Sequence, residues 1–223
     1  MRANSLWLKR IVKLGMILIM GVSMSACSAT SWKEEVLLHD GGKIIVERTV
    51  ERGGRHEIGQ QPPYKEQSLS FIMPETKQKV VWEDKFSEEL GSANFLPMLL
   101  DITNDTAYLV VYPMGCLSYN KWGRPNPPYV IFKYQANAWQ RIAIQELPAE
   151  IKTPNLIFSM PDMKVKESGK PFMTAEMIGA IIASYRQPEY KTILREALPK
   201  ERCPQYSSGP KAPTTIAPSA PSK

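Results

Sequence analysis

The sequence has few of the residues from which most enzyme sites are built. Only two histidines and three cysteines occur in 223 residues. Two isolated histidines cannot hold a zinc ion unless carboxylates from elsewhere in the chain join them. Neither a Gly-x-Ser-x-Gly nucleophile elbow nor a phosphate-binding glycine loop occurs. The sequence therefore contains none of these common catalytic motifs, and we expect no metal site and no cofactor.

Acidic residues do not offer a clear replacement for these motifs. The pairs Glu34-Glu35 and Glu88-Glu89 are adjacent in sequence, and neighbours on a strand point to opposite faces of the sheet. We interpret both pairs as solvated charge. A glycosidase needs two carboxylates held across a cleft at a defined separation, which a sequence does not display. A hydrolase acting on cell-wall or glycan material therefore stays open as an alternative.

The chain also lacks a strong excess of one charge. Its formal net charge is +6, but four of the 28 basic residues and none of the 22 acidic ones lie in residues 1–26. The remaining chain carries 24 basic residues against 22 acidic ones. Because nucleic-acid binding needs a concentrated basic face, we expect no nucleic acid as a partner.

A long hydrophobic run is missing as well. Residues 14–22 form an apolar run behind a basic N-terminus, and it is shorter than the roughly 20 residues that a membrane-spanning helix needs. A basic start, a short apolar core and small residues after it are typical of a cleaved signal peptide. We therefore predict that residues 1–26 are a signal peptide.

The apolar run is followed by Met24-Ser25-Ala26-Cys27, which resembles a bacterial lipobox with Met24 in place of the usual Leu. The resemblance implies cleavage before Cys27 by signal peptidase II and acylation of Cys27 at its sulfur and its amine. One acyl chain binds a membrane only marginally, whereas several chains give stable anchoring. The alternatives are an uncleaved anchor and ordinary secretory cleavage.

The residue after the cysteine bears on location. Ser28 stands where lipoproteins that enteric bacteria retain at the inner membrane carry Asp, so the resemblance implies the outer membrane, with the protein facing the periplasm. Residues 27–33 are predicted to be the lipidated N-terminus and a short tether. Six extended residues span at most about 20 Å, so we expect the folded domain to lie close to the membrane.

Residues 34–160 are predicted to form an antiparallel β domain. Pairs of apolar segments flank turn-like sequences at residues 39–42, 74–76, 103–105 and 135–138. The first turn contains Asp40-Gly41, a strong hairpin signal because that turn needs positive φ. Four hairpins in sequence predict a mainly β fold, an antiparallel meander arranged as a sandwich or an open barrel. Residues 156–159 are predicted to add a last strand.

Residues 161–203 are predicted to be helical and to pack on the β domain. Four apolar residues share one face at helical spacing: Ile178, Ile181, Ile182 and Tyr185. Thr174 is a suitable N-cap, and Pro188 ends this helix and opens a second short one. Residues 204–223 are rich in Pro and Ser and lack apolar surface, so we predict a disordered tail.

The segment 115–129 has the composition of a contact surface. Aromatic residues supply large contact area at low entropic cost, Arg and Asn supply directed hydrogen bonds, and prolines stiffen a loop. The candidate binding residues are Tyr119, Asn120, Trp122, Arg124, Asn126 and Tyr129. A sugar, a peptide or another protein would suit such a surface. The alternative is that Trp122 packs on the sheet and the prolines only route the chain.

The same segment carries a family resemblance. Residues 32–200 resemble an uncharacterised family of proteobacterial lipoproteins that share the run Gly115-Cys116-Leu117 followed by the residues from Tyr119 to Tyr129. The resemblance implies a shared fold. It implies no activity.

The cysteines suggest a disulfide. If Cys27 is acylated, Cys116 and Cys203 remain, and the envelope outside the inner membrane is oxidising. A bond between them would close a loop of nearly 90 residues, worth about 4 kcal/mol in the chain-entropy account. The alternative is a Cys116 nucleophile with His39 or His56 as its base. We interpret both histidines instead as solvated polar residues, at a hairpin turn and in a loop.

These features predict a lipid-anchored envelope protein that acts as a non-enzymatic structural or binding module at the periplasmic face of the membrane. Its expected partners are the membrane, through acylated Cys27, and an envelope protein or a glycan. A periplasmic hydrolase and an assembly factor for an envelope complex are the alternatives.

Overall fold

A computed structural model describes residues 29–205, so the predicted signal peptide, Cys27 and nearly all of the predicted tail lie outside the described residues. Nine strands and three α-helices are present in this range. In chain order they are β1 (Thr30–Leu37), β2 (Lys43–Arg52), β3 (Tyr64–Ile72), β4 (Lys79–Asp84), β5 (Phe95–Thr103), β6 (Thr106–Pro113), α1 (Gly115–Lys121), β7 (Val130–Gln135), β8 (Ala138–Ile142), α2 (Pro161–Ser168), β9 (Phe172–Met173) and α3 (Ala175–Ala183).

The strands form two sheets. The first has the order β4-β3-β2-β1-β9, and the second has the order β5-β6-β7-β8. All pairings are antiparallel except the short parallel pairing of β1 with β9. The predicted mainly β class is confirmed, and the four predicted hairpins join β1 to β2, β3 to β4, β5 to β6 and β7 to β8. The sheets do not close into a barrel.

The hairpin turns have the backbone geometry that their sequences favour. Gly41 has φ +88° in the first turn, and Asp40 Oδ1 accepts a hydrogen bond from Gly42 N at 2.8 Å. In the third turn Asn104 and Asp105 both have positive φ, 48° and 54°. Two consecutive positive φ values give a turn whose twist matches the flanking strands. Local residue choice therefore sets these connections.

The two sheets face each other across a shared apolar core. In β4 every second side chain is buried, as expected for a strand with one face toward a core. The centre of the core is a group of aromatic rings with centroids 4.5–6.4 Å apart. Its members are Trp82, Phe95, Trp122 and Phe132. Such tilted and edge-on ring pairs stabilise a core beyond the area they bury.

The second sheet is covered on its outer side too. Nearly every residue of β5 and β6 is buried, which is the pattern of strands packed on both faces. Residues from the segments 144–158 and 185–194 form this covering layer with the outward side chains of the sheet. The second sheet is therefore an inner layer between the first sheet and the C-terminal part of the chain.

The predicted strand at residues 156–159 is absent, and the structure shows why. The segment is buried, but its backbone groups bond to separate partners instead of to a neighbouring strand. Leu156 N donates to Met98 O at 3.2 Å, and Ile157 N donates to Glu34 Oε2 at 3.1 Å. An apolar run alone does not distinguish a strand from such an irregular buried segment.

The predicted helix with Thr174 as its N-cap is confirmed as α3. Thr174 Oγ1 accepts a hydrogen bond from Met177 N at 3.3 Å. Ile178 and Ile182 are buried against the first sheet. The second predicted helix is reduced to one 3-10 turn, Pro188–Tyr190, because the chain then extends and Ile193 N bonds to Lys152 O. Helix α1 was not predicted, whereas α2 lies in the segment 161–203 that was predicted to be helical.

Two predicted boundaries differ from the structure. Strand β1 begins at Thr30, so most of the predicted tether 27–33 is strand, and Trp32 is buried beneath the guanidinium of Arg48. Strand β9 comes from the predicted helical segment and pairs with β1. Residues 30–203 therefore build one continuous fold instead of a β domain with an attached helical segment.

Within residues 29–205, no helix is both long enough and apolar enough to cross a membrane.

Candidate functional site

The predicted contact segment 115–129 points its aromatic rings inward. Tyr119, Trp122 and Tyr129 are all at most 5% exposed. The Trp122 ring lies 4.5 Å from that of Phe95, and its Nε1 donates to Asn94 Oδ1 at 3.1 Å. This segment therefore does not form an open aromatic surface. The packing of Trp122 on the sheet agrees with the alternative interpretation.

The polar members of the same segment hold the C-terminal part of the chain. Arg124 donates to Cys203 O at 2.8 Å and to Pro204 O at 2.9 Å. Asn120 Nδ2 also donates to Pro204 O, at 3.1 Å. Asn126 bonds both ways with the backbone of Leu198, at 2.7 and 3.0 Å. The six predicted residues lie in one region, and the side chains of all of them except Tyr119 form hydrogen bonds inside the described fold.

A disulfide links the same two parts of the chain. The Sγ atoms of Cys116 and Cys203 lie 2.11 Å apart, with 5.5 Å between their Cα atoms. The predicted pairing is present. Because a paired cysteine has no free thiolate, Cys116 in this state is not a nucleophile.

The clearest open feature is a cleft of about 310 Å³, called here the His39 cleft. It lies between the β1–β2 turn, strand β5, the loop 150–155 and helix α3. Its polar lining comprises Glu35, His39, Asp101, Glu150, Lys152, Thr153 and Asn155. Its apolar floor includes Leu38, Pro154, Ile178 and Ile182. Ligand sites are concave, mostly apolar and begin at roughly 300 Å³, so this cleft suits a small ligand.

His39 is fixed on one side of this cleft by Asp101. The distance from His39 Nδ1 to Asp101 Oδ1 is 2.7 Å, and His39 N donates to Asp101 Oδ2 at 3.0 Å. The Asp101 side chain is 4% exposed and that of His39 is 21% exposed. Because the carboxylate accepts, Nδ1 carries the proton. Nε2 has no hydrogen-bond partner anywhere in the described part of the chain.

His39 is exposed at a hairpin turn, as predicted, but its ring is fixed by Asp101, which was not predicted. His56 is exposed as well and bonds only to the nearby Gly54 O at 3.0 Å. One signal in the sequence pointed toward the His39 site. Asp101 is a charged residue inside an apolar run, Leu99-Leu100-Asp101-Ile102, and a charge on a strand buried on both faces needs a partner.

The environment shifts both ionisable groups of this pair. The hydrogen bond that His39 donates to Asp101 raises the pKa of His39, and the charges of Asp101, Asp40 and Glu150 act in the same direction. Burial raises the pKa of Asp101, and the bonds from His39 and from Ile102 N offset part of that rise. The raised pKa of His39 increases the fraction of imidazolium at neutral pH.

The loop that forms the opposite wall is held firmly. Lys152 O accepts from Ile193 N at 2.8 Å, and Arg195 donates to Pro148 O and Ile151 O at 2.7 and 3.1 Å. Asn155 Nδ2 donates to Leu37 O at 2.9 Å, which ties the loop to the first sheet. These bonds fix the backbone on both sides of Glu150 and Lys152, so the cleft wall is pre-organised.

Two charged side chains in that wall are left without partners. Within the described range, the side chains of Glu150 and Lys152 make no hydrogen bond and no ion pair. They lie two residues apart on one short loop and do not bond each other. Together with His39 Nε2, they give the cleft three polar groups that are available to a ligand.

Comparisons with known proteins add no identity. No family model matches the chain, and no curated protein or solved structure matches it. The lipobox resemblance and the lipoprotein-family resemblance therefore stay predictions. Among residues 29–205, no group of three or more His, Cys, Asp or Glu side chains is placed to hold a metal ion.

Proposed function

We propose that this protein is a lipid-anchored protein of the bacterial envelope and acts as a non-enzymatic binding module, with the His39 cleft as its binding site. One observation carries the proposal. The cleft combines an apolar floor with polar groups that have no protein partner among the described residues. Such a combination is what small-molecule sites use for affinity and for orientation.

Support for the anchor comes from the sequence motif that ends at Cys27. Strand β1 begins at Thr30, and three extended residues span about 10 Å. A domain attached through acylated Cys27 would therefore lie directly at the membrane surface. The Ser at position 28 supports the outer membrane as the site of attachment.

Labelling with a fatty acid tests the anchor. Cells that express the protein are grown with labelled palmitate, and their membranes are separated on a density gradient. We expect the label on the wild-type protein in the outer-membrane fraction, and no label on Cys27→Ala. Ser28→Ala is the matched control, because it keeps the cysteine. Equal labelling of wild type and Cys27→Ala would contradict the proposal.

A substitution at Gly179 tests the cleft. Gly179 lines the cleft on α3, and a Cβ added there meets no atom within 4 Å. A side chain at this position therefore starts in open space, so Gly179→Leu should obstruct the cleft, and Gly179→Ala is the matched control. In a thermal-shift screen of small metabolites, we expect compounds that stabilise the wild type and Gly179→Ala but not Gly179→Leu. Compounds that stabilise all three proteins equally would place binding elsewhere.

A hydrolase is the second candidate, and the His39–Asp101 pair is the observation in its favour. A carboxylate that orients an imidazole is the arrangement of many general bases. The raised pKa of His39 does not decide between the candidates, because it makes the neutral imidazole a stronger base and at the same time lowers the fraction of that form. His39→Gln separates the candidates. A hydrolase would lose all turnover with this variant, whereas a binding module has no turnover to lose.

A further inference from the structure

We infer that the His39 cleft takes a small zwitterion with an apolar body, of the class of a free apolar amino acid or a dipeptide. The inference rests on the proposed use of this cleft as a binding site. It goes further because it assigns the chemistry of the ligand to individual side chains.

Two carboxylates that line the cleft are already neutralised by the protein. Asp101 is paired with His39. Glu35, at the edge of the cleft, is 2.8 Å from Lys43 Nζ and accepts from Ala175 N at 3.4 Å. Neither carboxylate has to be compensated by a ligand.

The second step concerns the charges that remain. Glu150 supplies one unpaired carboxylate and Lys152 one unpaired ammonium. Both side chains are exposed and solvated, so a purely anionic ligand would be repelled by Glu150 and a purely cationic ligand would be repelled by Lys152. A ligand with one ammonium and one carboxylate satisfies both groups, and charge complementarity of this kind gives specificity.

The third step places the carboxylate end. His39 Nδ1 is engaged by Asp101, and in the imidazolium form Nε2 also carries a proton. The cleft then offers two donors, His39 Nε2, whose positive charge Asp101 already balances, and the Lys152 ammonium, against one carboxylate at Glu150. We assign the carboxylate of the ligand to these two donors and its ammonium to Glu150.

The fourth step concerns the apolar body. Leu38, Ile178 and Ile182 lie in the floor of the cleft and are almost fully buried. An apolar side chain laid on this floor loses contact with water, at roughly 25 cal/mol per Å² buried. The volume of about 310 Å³ admits only a small ligand. An apolar amino acid or a dipeptide meets both requirements.

Three related probes test the assignment on the mature, detergent-solubilised protein. L-leucine carries both charges, N-acetyl-L-leucine lacks the ammonium and L-leucinamide lacks the carboxylate. By isothermal titration calorimetry, we expect leucine to bind at least tenfold more tightly than either blocked probe. This preference is the signature of a zwitterion site.

Variants assign each end of the ligand. Glu150→Gln should remove the preference for leucine over N-acetyl-leucine and keep its preference over leucinamide. Lys152→Gln should do the reverse. Glu196→Gln and Lys191→Gln are matched controls, since both residues are exposed and lie outside the cleft lining. The controls should leave all three affinities unchanged.

Other results would overturn the inference in distinguishable ways. Equal binding of the three probes that is lost in Gly179→Leu would overturn the zwitterion assignment and leave the cleft as a binding site. Failure of every probe to bind the wild type would overturn the ligand class. Binding that persists unchanged in Gly179→Leu would move the ligand out of this cleft and would count against the proposed function as well.

Discussion

Residues 115–129 and the His39 cleft use polar side chains in opposite ways. In the segment, Arg124, Asn120 and Asn126 bond to the backbone of residues 198–204. In the cleft, Glu150 and Lys152 have no partner among residues 29–205. The segment therefore has the composition of a contact surface, but its polar side chains bond to another part of the same chain. What distinguishes the cleft is that its charged side chains face open space instead of other parts of the protein.

The largest effect should follow from removing the Trp122 ring. Trp122→Ala deletes a buried aromatic side chain that contacts Phe95 and bonds to Asn94, and such deletions cost about 3–5 kcal/mol. Urea unfolding followed by circular dichroism measures the loss. Trp139→Ala is the control, because Trp139 is only partly buried and should cost much less. A loss below about 1 kcal/mol for Trp122→Ala would indicate that this ring is not buried. It would contradict the contrast drawn between residues 115–129 and the His39 cleft.

The disulfide should give the next largest effect. Cys116 and Cys203 are 87 residues apart in sequence, and a loop of that length is stabilised by about 4 kcal/mol in the chain-entropy account, often less in practice. We expect Cys203→Ser to lower the free energy of unfolding by about 2–4 kcal/mol. Reductant should lower the melting temperature of the wild type and leave that of Cys203→Ser unchanged. A wild-type melting temperature indifferent to reductant would show that the bond does not stabilise the fold.

The His39–Asp101 pair should make stability depend on pH. Asp101 raises the pKa of His39 above its ordinary value of 6.5, so the folded protein binds this proton more tightly than the unfolded chain does. The stabilisation is fully present below pH 6.5 and is lost as the pH rises through the folded pKa. Urea titrations from pH 5 to 9 should show that decline in the wild type and not in His39→Gln. His56→Gln, the control, should behave as the wild type does.

The pKa of Asp101 does not reverse this expectation. Burial raises it from 3.8, so its linkage adds stability as the pH falls through the folded pKa of this carboxyl and acts on the acidic side. The decline above pH 6.5 is therefore assigned to His39. A wild type whose stability rises between pH 6.5 and 8 would contradict the assignment.

Local residue choice made most of the fold predictable. The hairpin turns depend on nearby residues such as Asp40 and Asn104, whose conformational preferences act over a few positions. The N-cap Thr174 is equally local. The helix α1 was missed because Gly115–Lys121 has no side-chain cap and precedes a proline-rich run. The wrongly predicted strand at 156–159 finds its partners at Glu34 and Met98, far away in the sequence.

The candidate site was much less predictable than the fold. His39 and Asp101 are 62 residues apart, and only the folded chain brings the hairpin turn onto β5. Asp101 was visible as a charge inside an apolar run, yet nothing in the sequence indicated its partner. Glu150 and Lys152 are ordinary charged residues by sequence. Their relevance comes from the absence of a protein partner within the described range, which depends on the position of every neighbouring element.

The smallest effect should come from Gly179, and it should have the opposite sign. Gly179 lies inside helix α3, where Gly is less favourable than Ala by about 0.5–1 kcal/mol. A Cβ added there meets open space, so Gly179→Ala should raise the free energy of unfolding by roughly that amount. Ala180 is the comparison position. Ala180→Gly should lower stability by a similar amount, because it is also an exposed position of the same helix. Both changes are measurable by urea unfolding.

If Gly179→Ala instead destabilises the protein, the wall of the cleft is closed by packing at this point. That result would contradict the description of the cleft as open and, with it, the contrast between the cleft and residues 115–129.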